Sequence, residues 1–317
     1  MIRHTFKLIW NRKRRSMLLL GEILLSFVVL FAVAAAIITS VSRYVRPLGF
    51  SHENMWVLHI DKPGEWGDGE EDKANVRRVL EQVRSELVTG EDVRQASFVS
   101  GNYPYSRSRW TTSFHWDSKT YSASIWLADD QYAEVAGLNV LEGRWFNAED
   151  DAGSRQAIVI TRQMRDEVFG KESPLGKIET DPDPGKERER VVVGVVENYR
   201  YRGEFEPDKG GFFQRNIVLD TAADIPHELA FTVREGSDAR VEERILKRLA
   251  QIAPGWNLRI ETLVDARREY IRENLLGTGV FVAVAGFLIL NVALGLFGVL
   301  WQSISRRHGE IGLRRAV

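Results

Sequence analysis

Two long apolar runs constrain this chain more than any other feature. Residues 17–38 carry one charged side chain, Glu22, and residues 275–301 carry none. Each run exceeds the roughly 20 apolar residues that a helix needs to cross a bilayer. The sequence therefore predicts transmembrane helices at 17–41 and 275–302, and it excludes an ordinary soluble enzyme. We expect the first run to be an uncleaved anchor, because its apolar core is longer than the ~7–15 residues of a signal peptide.

Charge is segregated between the ends of the chain and its middle. Residues 1–40 hold six Lys and Arg against one acid, whereas residues 41–274 hold 33 basic and 42 acidic residues, a net charge of −9. Basic residues beside a membrane helix stay on the cytoplasmic side. We therefore expect a membrane protein with a cytoplasmic N-terminus and an extracytoplasmic domain at 42–274, which is large enough to bury a core.

Residue patterns that carry catalysis are missing from the sequence. It has no Cys, which excludes disulfides and thiolate chemistry, and no G-x-x-x-x-G-K-[ST] phosphate loop or H-E-x-x-H metal pair. His59 and Asp61 share a strand face, and Glu70, Glu71 and Asp72 form an acidic cluster. A structural or solvated role is expected for both groups, with a proton or cation role as the alternative. We therefore expect a non-catalytic subunit without a cofactor of its own.

The middle region predicts an α+β domain between the transmembrane helices. Strand, helix and strand patterns follow one another between residues 55 and 99, with apolar side chains at helical spacing in 76–87. Residues 213–260 repeat strand and helix patterns. We therefore expect a βαβ-type, porter-like half near the membrane, made of 48–100 and 206–264.

The residues between these parts, 104–205, are rich in strand signals and predict an inserted β-rich half. Alternating residues on both sides of Asp117-Ser118-Lys119 predict a hairpin over 111–127. Further strands are expected at 156–161 and 190–196.

The segments that flank the membrane helices are basic or polar. Residues 1–16 predict a short cytoplasmic amphipathic helix whose apolar stripe includes Phe6, Ile9 and Trp10. We expect this stripe to lie on membrane lipid, with contact to a cytoplasmic partner as the alternative. Residues 265–274 form a polar helical segment that runs into the second apolar run, so we expect one long helix or a strongly tilted one.

Five segments, taken in order, resemble one family. Three lie in the middle region: LEGRWFNAED (141–150), AIVITRQMRDEVFGKESPLGK (157–177) and VVVGVVENYRYRG (191–203). They are similar to the core-domain signatures of MacB/FtsX-type ABC transporter permeases. FKLIWNRKRR resembles the N-terminal helix of that family, and SISRRHGEIGLRRAV (303–317) resembles the segment after its second membrane helix. The matches reach both ends and the middle of the chain.

Most matched residues of the middle region predict structural roles. We expect tight turns at Gly143 and Gly176, and a strand bulge or a close backbone approach at Gly194. Leu175 is expected to fill a core position. The other motif residues here are Arg144 and Phe146.

The resemblance implies a bacterial inner-membrane protein with a mechanical role. In this family two permeases pair around their membrane helices, and an ABC ATPase, which carries ATP and Mg²⁺, binds on the cytoplasmic side. Residues 303–317 would be the coupling segment that docks on this ATPase; the alternative is a positive collar at the membrane surface. The residues expected to make the contact are Glu310, Ile311, Leu313, Arg314 and Arg315.

ATP hydrolysis by the partner would then move the extracytoplasmic domains, a process called mechanotransmission. The purpose would be efflux, extraction of a substrate, or control of a partner such as a periplasmic adaptor or a lipoprotein; no nucleic acid is expected. The family carries four membrane helices, so we expect this chain to be part of a longer permease, with a half-permease as the alternative. The rival function is a two-span membrane sensor with an extracytoplasmic ligand domain.

Overall fold

The chain combines helices and strands. The computed structural model describes residues 13–64, 69–101, 103–179, 189–215 and 226–315. In order, the elements are α1 (Lys13–Tyr44), β1 (Met55–Asp61), α2 (Glu70–Thr89), β2 (Val93–Ser100), β3 (Thr111–Trp116), β4 (Lys119–Ala128), α3 (Tyr132–Val135), β5 (Val140–Gly143), a 3₁₀ helix (Ala148–Ala152), β6 (Gln156–Thr161), α4 (Arg162–Val168), β7 (Arg190–Val196), β8 (Gly211–Arg215), β9 (Glu228–Val233), α5 (Ala239–Ile252), β10 (Asn257–Thr262) and α6 (Leu263–Arg315).

The two apolar runs form α1 and α6, and both helices are long and apolar enough to cross a membrane. Their large apolar side chains, such as Phe31 and Phe281, are exposed, which is not the pattern of a core helix in a soluble domain. α6 is one uninterrupted helix of 53 residues from Leu263 to Arg315. The prediction of a single long helix that continues from polar residues into the second apolar run is confirmed.

Residues Val45–Ile271 form a compact unit of their own, and its first half is a split βαβ arrangement. β1 pairs with β10 on one side and β9 on the other, and β9 pairs with β2; all three pairings are antiparallel. With α2 and α5 as the connecting helices, the order β10-β1-β9-β2 is that of ferredoxin-like folds. The predicted βαβ-type half is therefore present, with β9 inserted between β1 and β2.

The helices α2 and α5 cover one face of this half because their apolar residues recur at helical spacing. The buried positions are Val76, Leu80, Val83 and Leu87 in α2, and Val241, Ile245 and Leu249 in α5. The side chain of Asp238 caps α5 by accepting the backbone N–H of Arg240 at 2.9 Å. Local sequence thus fixes both helices and the face that each one buries.

The sheet continues into a second half. β2 pairs with β4 only at Val99 and Ser100, and the order then runs β4-β8-β6-β7-β5, with β3 beside β4. The predicted hairpin is confirmed, since β3 pairs with β4 in antiparallel register. Its turn residues Asp117 and Ser118 have φ angles of 46° and 61°, the left-handed values that a tight hairpin turn requires.

The inserted half extends further along the chain than predicted. β8 lies between β4 and β6, so this half includes Gly211–Arg215 and does not end at residue 205. β8 fits this position because its successive side chains face opposite sides of the sheet. Phe213 packs on Trp126 of β4, with 4.8 Å between ring centroids, and Phe212 packs on Phe114 of β3. One strand therefore supplies both faces of this part of the sheet.

One hydrophobic core runs beneath both halves. It combines Met55 and Val57 of β1 with Trp126 of β4 and Phe213 of β8, and the first residue of α6, Leu263, is buried in it. Because the two halves share this core, the domain is expected to unfold as one body.

Candidate functional site

The matched motifs meet at the β5–β7 edge of the sheet. Gly143 of β5 pairs directly with Gly194 of β7. A Cβ atom on Gly143 would collide with the carbonyl oxygen of Val193, and one on Gly194 would collide with that of Arg144. The predicted close approach at Gly194 is confirmed. The φ of 69° at Gly143 agrees with the predicted turn, because only glycine adopts this value readily.

The PLGK segment closes over this pair of glycines. Gly176 has a φ of 74° and donates its N–H to the carbonyl oxygen of Val192 at 2.8 Å, which confirms the predicted turn. Leu175 lies against Gly143, but it is 39% exposed. The prediction that Leu175 fills the core is therefore wrong: the turn at Gly176 holds it at the edge of the sheet, where it covers the glycines from outside.

The two remaining motif residues, Arg144 and Phe146, lie at the same edge of the sheet. Arg144 donates two hydrogen bonds to the carboxylate of Asp150, at 2.5 and 2.7 Å, and these bonds lower the pKa of Asp150. The same carboxylate accepts the backbone N–H of Asn147 at 2.9 Å. Phe146 is buried and packs on Trp145, with 4.3 Å between ring centroids. The structure thus brings all six motif residues to one region, where they fix the fold.

A different segment contacts the chain that leaves α1. We call residues 198–208 the joint loop. Arg200 donates its backbone N–H to the carbonyl oxygen of Leu48 at 2.9 Å, and its guanidinium to that of Arg46 at 3.2 Å. Asp208 pairs with Arg200 at 2.9 Å and with Arg46 at 3.8 Å. The joint loop therefore holds the connection between α1 and the sheet.

The joint loop also holds the first two turns of α6. Arg267 donates from Nε to Oε1 of Glu204 at 2.6 Å, and the Glu204 side chain is only 2% exposed. The hydroxyl of Tyr270 accepts the backbone N–H of Phe205 at 3.1 Å. The Tyr270 ring rests on Gly203, where a Cβ atom would collide with it. Three consecutive loop residues thus contact α6.

Burial shifts the pKa values of two side chains near this ion pair, Tyr105 and His52. Tyr105 donates its hydroxyl proton to Oε1 of Glu204 at 3.3 Å, and burial, with a smaller contribution from the Glu204 charge, raises the pKa of Tyr105. Burial and then the charge of Arg267 lower the pKa of His52, so this imidazole is neutral at pH 7. Arg267 therefore balances the buried charge of Glu204, and the pair depends on both partners.

The residues that join α6 to the loop do not stand out in the sequence. Glu204 and Arg267 are 63 positions apart, and no local pattern links them. The one available signal is the alternation Tyr-Arg-Tyr-Arg at 199–202, because it directs Tyr199 and Tyr201 together into the core.

The predicted partner contacts lie outside the described part of the chain. Phe6, Ile9 and Trp10 precede the first described residue. The backbone of Glu310, Ile311, Leu313, Arg314 and Arg315 belongs to α6, but their side chains are outside the described set. Their predicted roles stay predictions.

His59 and Asp61 were predicted to share a strand face. His59 pairs through Nε2 with Oε2 of Glu261 on β10, at 3.0 Å. Among the residues that the structure describes, no three His, Asp or Glu side chains are grouped in a way that could bind a metal ion.

In the chain, a sheet-rich domain follows one helix that is long enough to cross a membrane and precedes another. One loop holds both connections. This arrangement defines a membrane protein with a large domain outside the bilayer. Residues 22–248 match the family model of the MacB-like periplasmic core domain. The match covers more than half of the chain, which therefore belongs to this family of ABC transporter permeases.

Curated relatives agree with this assignment. The macrolide export ATP-binding/permease protein MacB of Pasteurella multocida is 31% identical over 265 residues, which is 80% of this chain and 38% of the relative. The protein of the same name from Neisseria gonorrhoeae is 22% identical over 239 residues, 71% of this chain and 34% of the relative. The chain thus spans about a third of the length of these relatives.

Solved structures include a similar domain. The periplasmic region of MacB from Actinobacillus actinomycetemcomitans aligns with a TM-score of 0.47 and 16% identity, covering 73% of this chain and 98% of that one.

Proposed function

We propose that the chain is the membrane subunit of an ABC transporter that works by mechanotransmission. A separate ATPase subunit hydrolyses ATP and docks on the cytoplasmic segment 303–317, and a second permease pairs with this one. The N-terminus is cytoplasmic. The motion is transmitted to the extracytoplasmic domain, which acts on a substrate to be exported or on a partner such as a periplasmic adaptor or a lipoprotein. Export is supported by the names of the relatives.

The observation that carries this proposal is the joint loop. It binds the connection from α1 through Arg200 and the start of α6 through Glu204. A domain that only binds a ligand needs no such shared attachment. A domain that must move when its membrane helices move does need it, because a slack connection would absorb the displacement.

The second supporting feature is α6 itself. It contains no proline, and proline is the usual cause of a sharp kink in a helix. If α6 were displaced without the domain, the charge of Glu204 would lose its partner while still buried, which is costly. The whole domain therefore follows the helix.

The experiment is affinity purification of the full chain in mild detergent, followed by identification of a co-purified P-loop ATPase. We expect Glu310→Lys and Arg314→Glu each to reduce the recovered ATPase severalfold. The matched control is Arg155→Glu, a charge reversal at an exposed pair with Glu189 in the domain, which should leave recovery unchanged. Unchanged recovery with both coupling variants would contradict the docking role, and recovery of a histidine kinase would favour a sensor.

A further inference from the structure

A pocket opens between the joint loop and the β3–β4 hairpin. It is small, with a cavity volume of about 30 Å³. Tyr201 and Arg202 form part of one wall, and Thr111 and Ser124 form part of the other. Arg200 and Gly203 of the joint loop also line the pocket, and the proposed function assigns no ligand to it.

The lining of the pocket is positively charged. Arg109, Arg202 and Lys209 are its three outer cations. Among the described residues that line it, Glu206 is the one carboxylate, and it pairs with Arg202 at 3.1 Å. Arg109 and Lys209 make no ion pair with any residue that the structure describes. No described residue therefore neutralises these two positive charges.

Two side chains with hydroxyl groups line the pocket. Ser124 is 3% exposed and Tyr201 is 4% exposed as whole residues. Neither hydroxyl has a hydrogen-bond partner among the described residues, and both oxygens reach solvent, since neither is among the fully buried unpaired atoms. Burial raises the pKa of Tyr201, while the charges of Arg202 and Arg109 oppose the rise, so the phenol stays protonated close to both cations. The pocket thus combines hydroxyl donors with guanidinium and ammonium donors.

We propose that this pocket binds a phosphate group, and that its source is the headgroup of an anionic phospholipid. Guanidinium, ammonium and hydroxyl donors that outnumber the one carboxylate, Glu206, suit the several oxygens and the negative charge of a phosphate. The lipid source is favoured by the chain path. Arg200, which lines the pocket, contacts Arg46, and Arg46 follows the last residue of α1 by only two positions.

The test is isothermal titration calorimetry on the full chain in dodecyl maltoside. The titrants are dihexanoyl phosphatidylglycerol, dihexanoyl phosphatidylcholine and inorganic phosphate. We expect phosphatidylglycerol to bind, and the double variant Arg109→Ala/Lys209→Ala to weaken it about tenfold or more, because two charge-assisted contacts are lost. The matched control, Arg155→Ala/Lys171→Ala, removes the same charge from exposed positions and should change the affinity less than about twofold.

A second variant separates binding from folding. Tyr201→Phe keeps the buried ring and removes only the hydroxyl, so we expect weaker phosphatidylglycerol binding with an unchanged far-UV circular dichroism spectrum and melting temperature. Inorganic phosphate that binds as tightly as phosphatidylglycerol would retain the phosphate site but overturn the lipid source. Phosphatidylcholine that binds equally well would overturn recognition of an anionic headgroup. Absence of binding by all three, or equal losses in the test and control double variants, would overturn the site itself.

Discussion

Arg267 of α6 and Glu204 of the joint loop form an ion pair with 2.6 Å between Nε and Oε1. The carboxylate is almost fully buried, whereas the guanidinium is partly exposed. The two partners therefore differ in what happens when the other is removed. Arg267 can remain solvated without Glu204, but Glu204 without Arg267 becomes an uncompensated buried charge. Such a charge is much more costly than the loss of a surface ion pair.

Removal of the cation should consequently destabilise the domain. We expect Arg267→Met to lower the free energy of unfolding by about 3 kcal/mol, the low end for a broken buried pair, because water reaches one partner. The measurement is denaturant unfolding of the full chain in detergent, followed by tryptophan fluorescence. Restoring neutrality with Glu204→Gln in the Arg267→Met background should recover part of the loss.

The control for this prediction is one residue away. Arg268 pairs with Asp265 at 3.1 Å, and both side chains are exposed. We expect Arg268→Met to change stability by less than about 0.5 kcal/mol. Equal effects of the Arg267 and Arg268 variants would show that the Glu204 contact does not hold α6.

The glycine pair at the sheet edge offers a second matched comparison. Gly143 and Gly170 have similar φ angles, 69° and 61°, but only Gly143 faces backbone atoms that a Cβ would strike. We expect Gly170→Ala to cost about 1 kcal/mol from the backbone conformation alone. Gly143→Ala should cost about 1–3 kcal/mol more from steric overlap. Thermal unfolding of both variants measures the difference, and similar melting temperatures would argue against the close approach.

The partly buried carboxyl of Glu228 should make stability depend on pH. Burial, and to a lesser degree Asp61, raises its pKa from 4.5 to about 7, against an opposing contribution from His59. The folded state therefore keeps a proton that the unfolded state releases between these values. This contribution to stability is fully present below pH 4.5 and is lost as the pH rises through 7, at up to about 1.4 kcal/mol per pH unit.

Unfolding measured from pH 4 to pH 8 tests this contribution. Glu228→Gln cannot ionise and should flatten the decline, whereas Glu235→Gln, at an exposed position, should not. Glu261 affects stability in a different pH range. The hydrogen bond from His59 lowers the pKa of Glu261. The stability that this carboxylate contributes is therefore lost only as the pH falls below the ordinary pKa of a glutamate. An unchanged slope in Glu228→Gln would reject the assignment.

The absence of cysteine makes the membrane orientation directly testable. Lys247 on α5 is 73% exposed, and Lys247→Cys would be the only thiol in the chain. We expect a membrane-impermeant maleimide to label it in intact spheroplasts, because the domain is extracytoplasmic. Ser303→Cys, after the second apolar run, should be labelled only after lysis. The reverse pattern would place the domain in the cytosol.

Helices and strands with strong local patterns could be predicted from the sequence. The apolar positions Leu80 and Leu87 of α2, the hairpin turn at Asp117-Ser118 and the close approach at Gly194 all follow from residues near in sequence. Leu175 was misjudged because an apolar residue in a family motif suggests burial, whereas its burial depends on what packs over the turn. β8 was assigned to the wrong half because strand propensity does not reveal which neighbour a strand pairs with.

The sequence by itself determined the two membrane-length helices, the α+β class and the family, because apolar runs, helical spacing and short motifs are local properties. Only the tertiary structure decided that Arg46, Glu204 and Arg267 meet at one loop, and that two hydroxyls and three cations share one pocket. The physical reason is that such contacts close loops of many residues. Their partners are selected by the packing of the whole sheet and its core, and no short stretch of sequence encodes that packing.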